Sequence, residues 1–272
     1  MVTTNFIYSS ALEMDWCFTA YYPNHYDNEK EYDVVILLHG TNGNNRTLVD
    51  RVPLEEIMKK YDMKCVSVHP YSCPIEPMMF FSDYERRVTD GIEYYKKYFH
   101  AMNILGAEIF VFHGNKDGLG TTEERYFERF ERLSDAGREY GITIAQENVA
   151  RCQSHSLKFM KNMCDALGDK AKFVLDVKQA VRSDEDPFKI AETLGNHIIH
   201  VHMSDHGSKG DCLPIGEGDF NIEFFLKSLK AKGFDGAVML ELYRKNFGAD
   251  SELRENCRKL EHITDLLNRE RV

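Results

Sequence analysis

Six imidazole or carboxylate side chains stand at the ends of short apolar runs along the chain. They are His69, His113, Glu147, Asp176, His202 and Glu241. Chance would place one such residue at the end of an apolar run, but six in succession form a pattern. Three carboxylates with an imidazole suit Mn²⁺, Mg²⁺ or Co²⁺, and Zn²⁺ is a further candidate. The pattern therefore predicts that the chain binds one divalent metal ion.

The side-chain alternation of these runs supports a common site. If they are strands, alternate residues face the same side, so Glu147 shares its face with Ala145, and Asp176 with Val174. Glu241 ends the last run in the same way. Carboxylates brought together in a partly dry site repel one another, and each buried charge costs several kcal/mol unless it is compensated. A divalent cation would provide that compensation.

Strand-like and helix-like segments alternate along the chain and would position these residues. Strands are predicted at 6–9, 33–38, 64–69, 108–113, 142–147, 172–176, 197–202 and 237–241. Amphipathic helices are predicted at 48–61, 84–105, 122–140, 155–167, 186–194, 220–232 and 251–269. Gly106, Gly141 and Gly233 follow helices and precede strands, as glycines that end helices do. The stretch 11–32 is aromatic and acidic and does not resemble a clean first helix.

Strand, helix and glycine repeated in this way predict parallel βαβ units in an α/β protein. Eight strands in 272 residues match a closed (β/α)8 TIM barrel, and we expect residues 1–272 to form one such domain. An open doubly wound sheet is the alternative, but no G-x-G-x-x-G follows the first strand. Because barrel enzymes place their active sites at the carboxyl ends of the strands, the six residues would share one mouth.

The net charge and the cysteine content limit the classes of binding partner and the cellular location that we expect. The net charge of −10 argues against a chain that grips nucleic acid mainly by neutralising phosphates. The seven cysteines are odd in number and contain no CxxC pair, which favours a reducing compartment over a disulfide framework. No signal peptide and no apolar run of membrane-spanning length is visible. We therefore expect a cytoplasmic protein without a membrane or nucleic-acid partner.

The motifs around the strand ends resemble the xylose-isomerase-like TIM-barrel superfamily. They are Glu147-Asn148, Asp176 after its apolar strand, His202-Met203-Ser204-Asp205, Glu241, the SVHPY run at 67–71 and the PIGEGDF run at 214–220. The superfamily includes sugar phosphate isomerases and epimerases, ketose 3-epimerases, inosose dehydratases and the family 2 AP endonucleases. The resemblance covers nearly the whole chain. It implies that Glu147, Asp176, His202 and Glu241 bind the metal, and that His69 and His113 line the substrate pocket.

The resemblance implies isomerisation or epimerisation of a ketose or related polyol through an enediolate. Glu147 and Glu241 would act as acid and base on opposite faces of the sugar. Lys209 and Arg244 are the candidate contacts to a substrate phosphate, although phosphorylation of the substrate is left open. The oligomeric state is also open, a homo-oligomer included. His200, one layer deeper than His202, is expected to have a structural role.

At two places this sequence differs from the endonuclease branch of the superfamily, which uses three zinc ions. It needs a histidine three residues after the aspartate, where this chain has Gln179, and an Asp-x-His where it has Gly210 and Cys212. AP-endonuclease-like phosphodiester cleavage is therefore disfavoured but kept as an alternative, together with an inosose-type dehydratase and a non-catalytic sugar-binding barrel. The run at 32–45 resembles an esterase oxyanion loop, but no G-x-S-x-G nucleophile motif accompanies it.

Overall fold

The computed structural model describes residues 2–9, 14–21, 63–70 and 72–269. The chain divides into two compact units, one of residues 1–65 with 104–106 and the other of residues 66–103 with 107–272. In the first unit, strands β1 (Val2–Ser9) and β2 (Met14–Tyr21) pair antiparallel as a hairpin.

The hairpin corrects one prediction about the start of the chain. Residues 6–9 lie in a strand, but they pair antiparallel with β2 and not in parallel as the first strand of a barrel. Only four residues separate Ser9 from Met14 in the sequence, whereas a crossover between parallel strands needs a dozen or more. The predicted strand at 33–38, the predicted helix at 48–61 and the esterase-like loop lie outside the described residues.

The second unit contains a parallel sheet of six strands. They are β3 (Ser67–Val68), β4 (Ile109–Phe112), β5 (Thr143–Glu147), β6 (Phe173–Asp176), β7 (Ile198–Met203) and β10 (Ala237–Leu240). The strands lie side by side in chain order, and every neighbouring pair is parallel. Each agrees with a predicted strand. This order, with helices between successive strands, is that of a (β/α)8 barrel, so the predicted fold class is confirmed. The prediction of a single domain over 1–272 stays a prediction.

Helices connect the strands and cover the outer face of the sheet. They are α1 (Glu76–Phe80), α2 (Glu85–Leu105), α3 (Glu123–Arg138), α4 (Leu157–Leu167), α5 (Val177–Arg182), α6 (Pro187–Leu194), α7 (Ile222–Ala231) and α8 (Asp250–Arg269). Six of them were predicted, whereas the short helices α1 and α5 were not. The side chains of Thr122, Ser156 and Asn221 cap α3, α4 and α7 by accepting backbone N–H groups.

The core follows the alternation expected of barrel strands. Val111, Ala145 and Val174 are fully buried and pack together on the inner face of β4, β5 and β6. On the opposite face of β4, Phe110 and Phe112 pack against aromatic side chains of the helices, among them Tyr95 and Phe80. Small residues inside and large ones outside therefore leave the carboxyl ends of the strands for polar side chains. Among the described residues, no helix has the length and apolar character needed to cross a membrane.

A second hairpin, not predicted, follows β7. Its strands are β8 (Asp205–Gly207) and β9 (Gly210–Leu213). Asp205 stabilises the loop that follows by accepting hydrogen bonds from the backbone N–H groups of His206, Gly216 and Phe220. The motifs at 202–205 and 214–220 are thereby joined in one loop structure at the carboxyl end of β7.

Candidate metal centre

Four side chains converge where the carboxyl ends of four strands meet. Glu147 and Asp176 end β5 and β6, His202 lies opposite Asp176 in β7, and Glu241 follows β10. The backbone N–H of Glu241 donates to Met203 O at 2.9 Å, which continues the ladder beyond β10. One ligand atom from each of the four residues lies within 4.8 Å of the others. The structure therefore brings together the four predicted metal ligands.

The orientation of these atoms fits a metal better than mutual hydrogen bonding. His202 Nδ1 lies 2.7 Å from Glu241 Oε2 and 3.4 Å from Glu147 Oε1. Nevertheless, within the described part of the chain, buried His202 Nδ1 and Asp176 Oδ2 make no contact with hydrogen-bond geometry. Buried polar atoms without a hydrogen-bond partner, in a group this compact, are what the ligands of a cation present when the cation is removed. Three carboxylates and one imidazole are also a donor set that suits a divalent ion.

Burial and the mutual charges shift the pKa values of the four groups. For Glu147, burial acts to raise the pKa, but His113, His202 and His69 outweigh it and hold the pKa well below its usual range. Burial likewise opposes the shift of Glu241, whose pKa His202 and Lys178 lower to about 2.

The other two groups have raised pKa values. For His202, burial acts to lower the pKa, but Glu147 and Glu241 raise it to about 10. Burial and the charge of Glu147 raise the pKa of Asp176 to about 7. Without a metal, the cluster therefore holds protons that a cation would displace.

Buried amides hold the two carboxylate strands in register. Asn148 Nδ2 donates to Asp176 O at 3.0 Å, and Asp176 N donates to Asn148 Oδ1 at 2.7 Å. Gln146 Nε2 donates to the backbone oxygens of His113 and Glu147, and its Oε1 accepts from Tyr126 Oη. Asn148 was noted in the sequence as part of a motif. Gln146 was missed, since a polar residue on the outer face of a strand gives no such signal.

His69 and His113 lie against Glu147. Oε2 of Glu147 is 2.7 Å from His113 Nε2 and 3.3 Å from His69 Nε2, and the two imidazole nitrogens are 2.9 Å apart. Cys73 Sγ lies 3.7 Å from His69 Nδ1. The His69 side chain is 42% exposed and that of His113 only 12% exposed. The pair thus lies between Glu147 and the outside, with its imidazoles in contact with a proposed ligand.

Glu76 was not predicted as part of this region. It is fully buried and accepts hydrogen bonds from the backbone N–H groups of His113 and Gly114 and from Tyr95 Oη. Burial raises the pKa of Glu76 to about 8, although these hydrogen bonds act in the opposite direction. Through these hydrogen bonds Glu76 fixes the backbone of His113 and Gly114, which directly follow β4.

Lys178 is a second residue that was missed. It is 2% exposed, and its Nζ lies 2.7 Å from Glu241 Oε1 and 3.1 Å from Asp176 Oδ2. Burial acts to lower its pKa, but these two carboxylates raise it above the ordinary lysine value. The only sequence signal is its position two residues after Asp176, in helix α5, which was itself not predicted.

The remaining predicted site residues lie at the surface. Lys209 is exposed in the turn between β8 and β9. The guanidinium of Arg244 is also exposed and donates to Phe247 O and Gly248 O of its own loop. The structure therefore does not bring Arg244 onto the carboxylate cluster. His200 is buried between Ser67 Oγ and Ala237 O, which agrees with the expected structural role.

Gln179 and Cys212 occupy the places where the endonuclease branch has ligands. The backbone N–H of Gln179 donates to Asp176 Oδ1, and its side-chain Oε1 accepts from Ala150 N. Cys212 is buried, with Sγ 3.7 Å from Glu241 O. Both side chains are thus engaged with neighbouring backbone.

Comparison with known proteins gives a family, a relative and similar structures. The model of the family described as xylose isomerase-like TIM barrel matches residues 32–263. Inosose isomerase of Halalkalibacterium halodurans is 27% identical over 125 residues, which are 42% of this chain and 44% of that protein. The match thus spans less than half of that relative.

Two solved structures share the fold. A D-tagatose 3-epimerase-like protein is similar with a TM-score of 0.64 and 23% identity, covering 80% of this chain and 84% of the other. The IolI protein with a bound zinc atom is similar with a TM-score of 0.61 and 17% identity, covering 79% and 82% of the two chains. At these identities the likeness establishes the fold alone.

Proposed function

The chain belongs to the xylose isomerase-like TIM barrel family, and we propose that it is a metal-dependent isomerase or epimerase of a ketose or related polyol. The observation that carries this proposal is the convergence of Glu147, Asp176, His202 and Glu241 at the carboxyl ends of adjacent parallel strands. The names of the similar proteins, an inosose isomerase and a D-tagatose 3-epimerase-like protein, support the same class of substrate.

The four ligands would hold one divalent ion, with Mn²⁺, Mg²⁺ and Co²⁺ as first candidates. Zn²⁺ is also a candidate, and a bound zinc atom in the similar IolI protein supports it. When bound, the ion would polarise the substrate carbonyl and stabilise the negative charge of an enediolate. Asp176 and His202 would serve as ligands that hold the ion.

Glu147 and Glu241 would transfer the protons. They approach from β5 and from the end of β10, with His202 between them, so a substrate bound above the cluster would have one carboxylate on each side. One carboxylate would remove the proton beside the carbonyl, and the other would return a proton to the opposite face in an epimerisation. Both pKa values are lowered, so both groups are ionised at neutral pH and either can take up the substrate proton. The carboxylate that returns a proton would first take one up from solvent.

His69 and His113 would hydrogen-bond substrate hydroxyls at the side of Glu147. Lys209 and Arg244 remain the proposed contacts for a substrate phosphate, and both are exposed, Lys209 in the turn between β8 and β9 and Arg244 on the loop after β10. A cytoplasmic location and the absence of a nucleic-acid partner also stay predictions from the sequence.

Deuterium exchange tests the proposal. The protein, loaded with Mn²⁺, is incubated in D₂O with a panel of ketoses and inososes, and incorporation of deuterium at the carbon beside the carbonyl is measured by NMR. We expect exchange with at least one sugar and its loss after chelation. Absence of exchange together with efficient cutting of an abasic oligonucleotide would favour the endonuclease alternative. Tight polyol binding without either reaction would favour a sugar-binding barrel. Loss of water from an inosose would favour a dehydratase.

A further inference from the structure

Lys178 places a buried ammonium group in contact with two of the proposed metal ligands. Its Nζ donates to Glu241 Oε1 at 2.7 Å and lies 3.1 Å from Asp176 Oδ2. The ammonium is also 4.9 Å from the centre of the Tyr243 ring, so an aromatic face borders it. A lysine that is 2% exposed must be held by opposite charge, because an unpaired buried ammonium is very costly.

The two oxygens that Lys178 contacts differ in their relation to the ligand group. In Glu241, Lys178 contacts Oε1, whereas Oε2 faces His202 Nδ1 at 2.7 Å. In Asp176, Lys178 lies near Oδ2, while Oδ1 accepts from the backbone N–H of Gln179. The ammonium therefore leaves one Glu241 oxygen to the ligand group, whereas at Asp176 it lies beside the oxygen that accepts no backbone hydrogen bond, so a cation bound through Oδ2 would share that oxygen with Lys178.

The charge of Lys178 contributes to the charge balance of the carboxylate cluster. Three carboxylates lie in the cluster, and a divalent ion alone would leave one negative charge. With Lys178 present, one divalent ion and one ammonium balance the three carboxylates. In the metal-free protein the ammonium remains as a fixed cation beside Asp176 and Glu241. At such short distances a unit charge acts strongly on a neighbouring divalent ion.

We propose that Lys178 is an internal counter-cation of the metal site, which stabilises the carboxylate cluster while no metal is bound and lowers its affinity for a divalent ion. This inference rests on the metal-dependent function proposed above. Its consequence is a site that folds without metal and exchanges the ion readily. The residue acts through the ligands Asp176 and Glu241, so its role is that of a positioning residue.

The test compares Lys178→Met and Lys178→Gln with the control Lys158→Met, which removes an exposed lysine of α4. Each protein is stripped by a chelator, and the chelator is then removed. The melting temperature of the metal-free protein is measured by calorimetry. The Kd for Mn²⁺, added without any sugar, is measured by titration calorimetry. In both Lys178 variants, we expect the metal-free protein to melt at least about 5 °C lower. We also expect Mn²⁺ to bind at least about tenfold more tightly, because the repulsive charge is gone. The control should behave as the unmodified protein.

Two results would overturn the proposal independently of enzyme activity. Equal or weaker Mn²⁺ binding by both Lys178 variants would show that the ammonium does not compete with the ion. Metal-free Lys178 variants as stable as the control would show that it does not stabilise the carboxylates. If the unmodified protein binds no divalent ion, the proposed metal-dependent function fails instead, and the melting temperatures alone decide the role of Lys178.

Discussion

His113 Nε2 lies 2.7 Å from Glu147 Oε2, while the other oxygen of that carboxylate faces His202. Glu241 also faces His202 with one oxygen, but its second oxygen is held by the ammonium of Lys178. The two glutamates proposed as acid and base thus differ in their partners. Glu147 is bordered by imidazoles that lead to the surface, and Glu241 by a buried cation. This difference makes separate substitution of the two glutamates informative.

Replacing either glutamate should greatly slow proton exchange. An amide cannot accept the substrate proton, so Glu147→Gln and Glu241→Gln should each reduce deuterium incorporation by about 10²–10⁴-fold. Weaker binding of the metal ion by the variant would add to this loss. Glu192→Gln on the exposed face of α6 is the matched control and should leave the rate unchanged. Rates are measured by NMR in D₂O with saturating Mn²⁺. Full exchange in either site variant would remove that residue from the proposed chemistry.

Metal binding should release protons and should strengthen as the pH rises. The pKa of His202 is about 10 without metal, so the imidazolium must lose a proton before Nδ1 can bind an ion. Asp176, with a pKa of about 7, releases more below neutrality. From pH 6 to pH 8 the Kd for Mn²⁺ should therefore fall by at least about a hundredfold. Calorimetry in two buffers of different protonation enthalpy counts the protons. A pH-independent Kd without proton release would contradict this assignment of ligands.

The strand ends could be predicted because parallel strands follow one simple rule. The alternation that grouped Ala145 with Glu147 and Val174 with Asp176 is the alternation found in the sheet. Because successive parallel strands carry their carboxyl ends to one edge, residues far apart in sequence could be assigned to one site. The convergence of the six residues at one edge is therefore readable from spacing and residue type, whereas the choice of four of them as metal ligands came from the resemblance to the family.

The partners of that cluster could not be predicted in the same way. Glu76 reaches Gly114 across 38 residues, and its burial depends on helix packing that no local pattern records. Lys178 reads as an ordinary surface lysine, since lysines are rarely buried unless paired. The hairpin of β1 and β2 was missed because an apolar run does not reveal the direction of its partner strand.

Glu76 should make stability fall with rising pH. Its pKa is about 8 in the folded protein, because burial disfavours the charge, against 4.5 ordinarily. Between these values the folded chain keeps a proton that the unfolded chain loses. The free energy of unfolding should therefore decrease by up to about 1.4 kcal/mol per pH unit from about pH 4.5 to about pH 8, and this contribution should be constant outside that window.

Glu76→Gln tests this dependence, since an amide can accept the two backbone hydrogen bonds without titrating. Denaturant unfolding of both proteins at pH 5, 6.5 and 8 should show the variant gaining stability relative to the unmodified protein as the pH rises. Glu192→Gln should run parallel to the unmodified protein throughout. A parallel course for Glu76→Gln as well would mean that Glu76 is ionised in the folded state at all three pH values.

Gly114 should be needed to place both His113 and Glu147. Its φ is +78°, and a Cβ there would lie 1.7 Å from Tyr126 Oη, which must then move away from Gln146 Oε1. Gln146 in turn holds the backbone oxygens of His113 and Glu147. Gly118 has nearly the same φ, +77°, but nothing lies within 4 Å of its Cβ position. An alanine at Gly118 would therefore cause the backbone strain without the clash.

Gly118→Ala should therefore cost about 1–2 kcal/mol of unfolding free energy, the strain of a left-handed residue alone. Gly114→Ala should cost at least about 3 kcal/mol, because overpacking adds to the same strain. It should also reduce deuterium exchange at saturating Mn²⁺, whereas Gly118→Ala should not. The measurements are denaturant unfolding and NMR exchange on both variants. Equal effects of the two substitutions would show that the contact with Tyr126 does not support the site, since the backbone strain is the same at both positions.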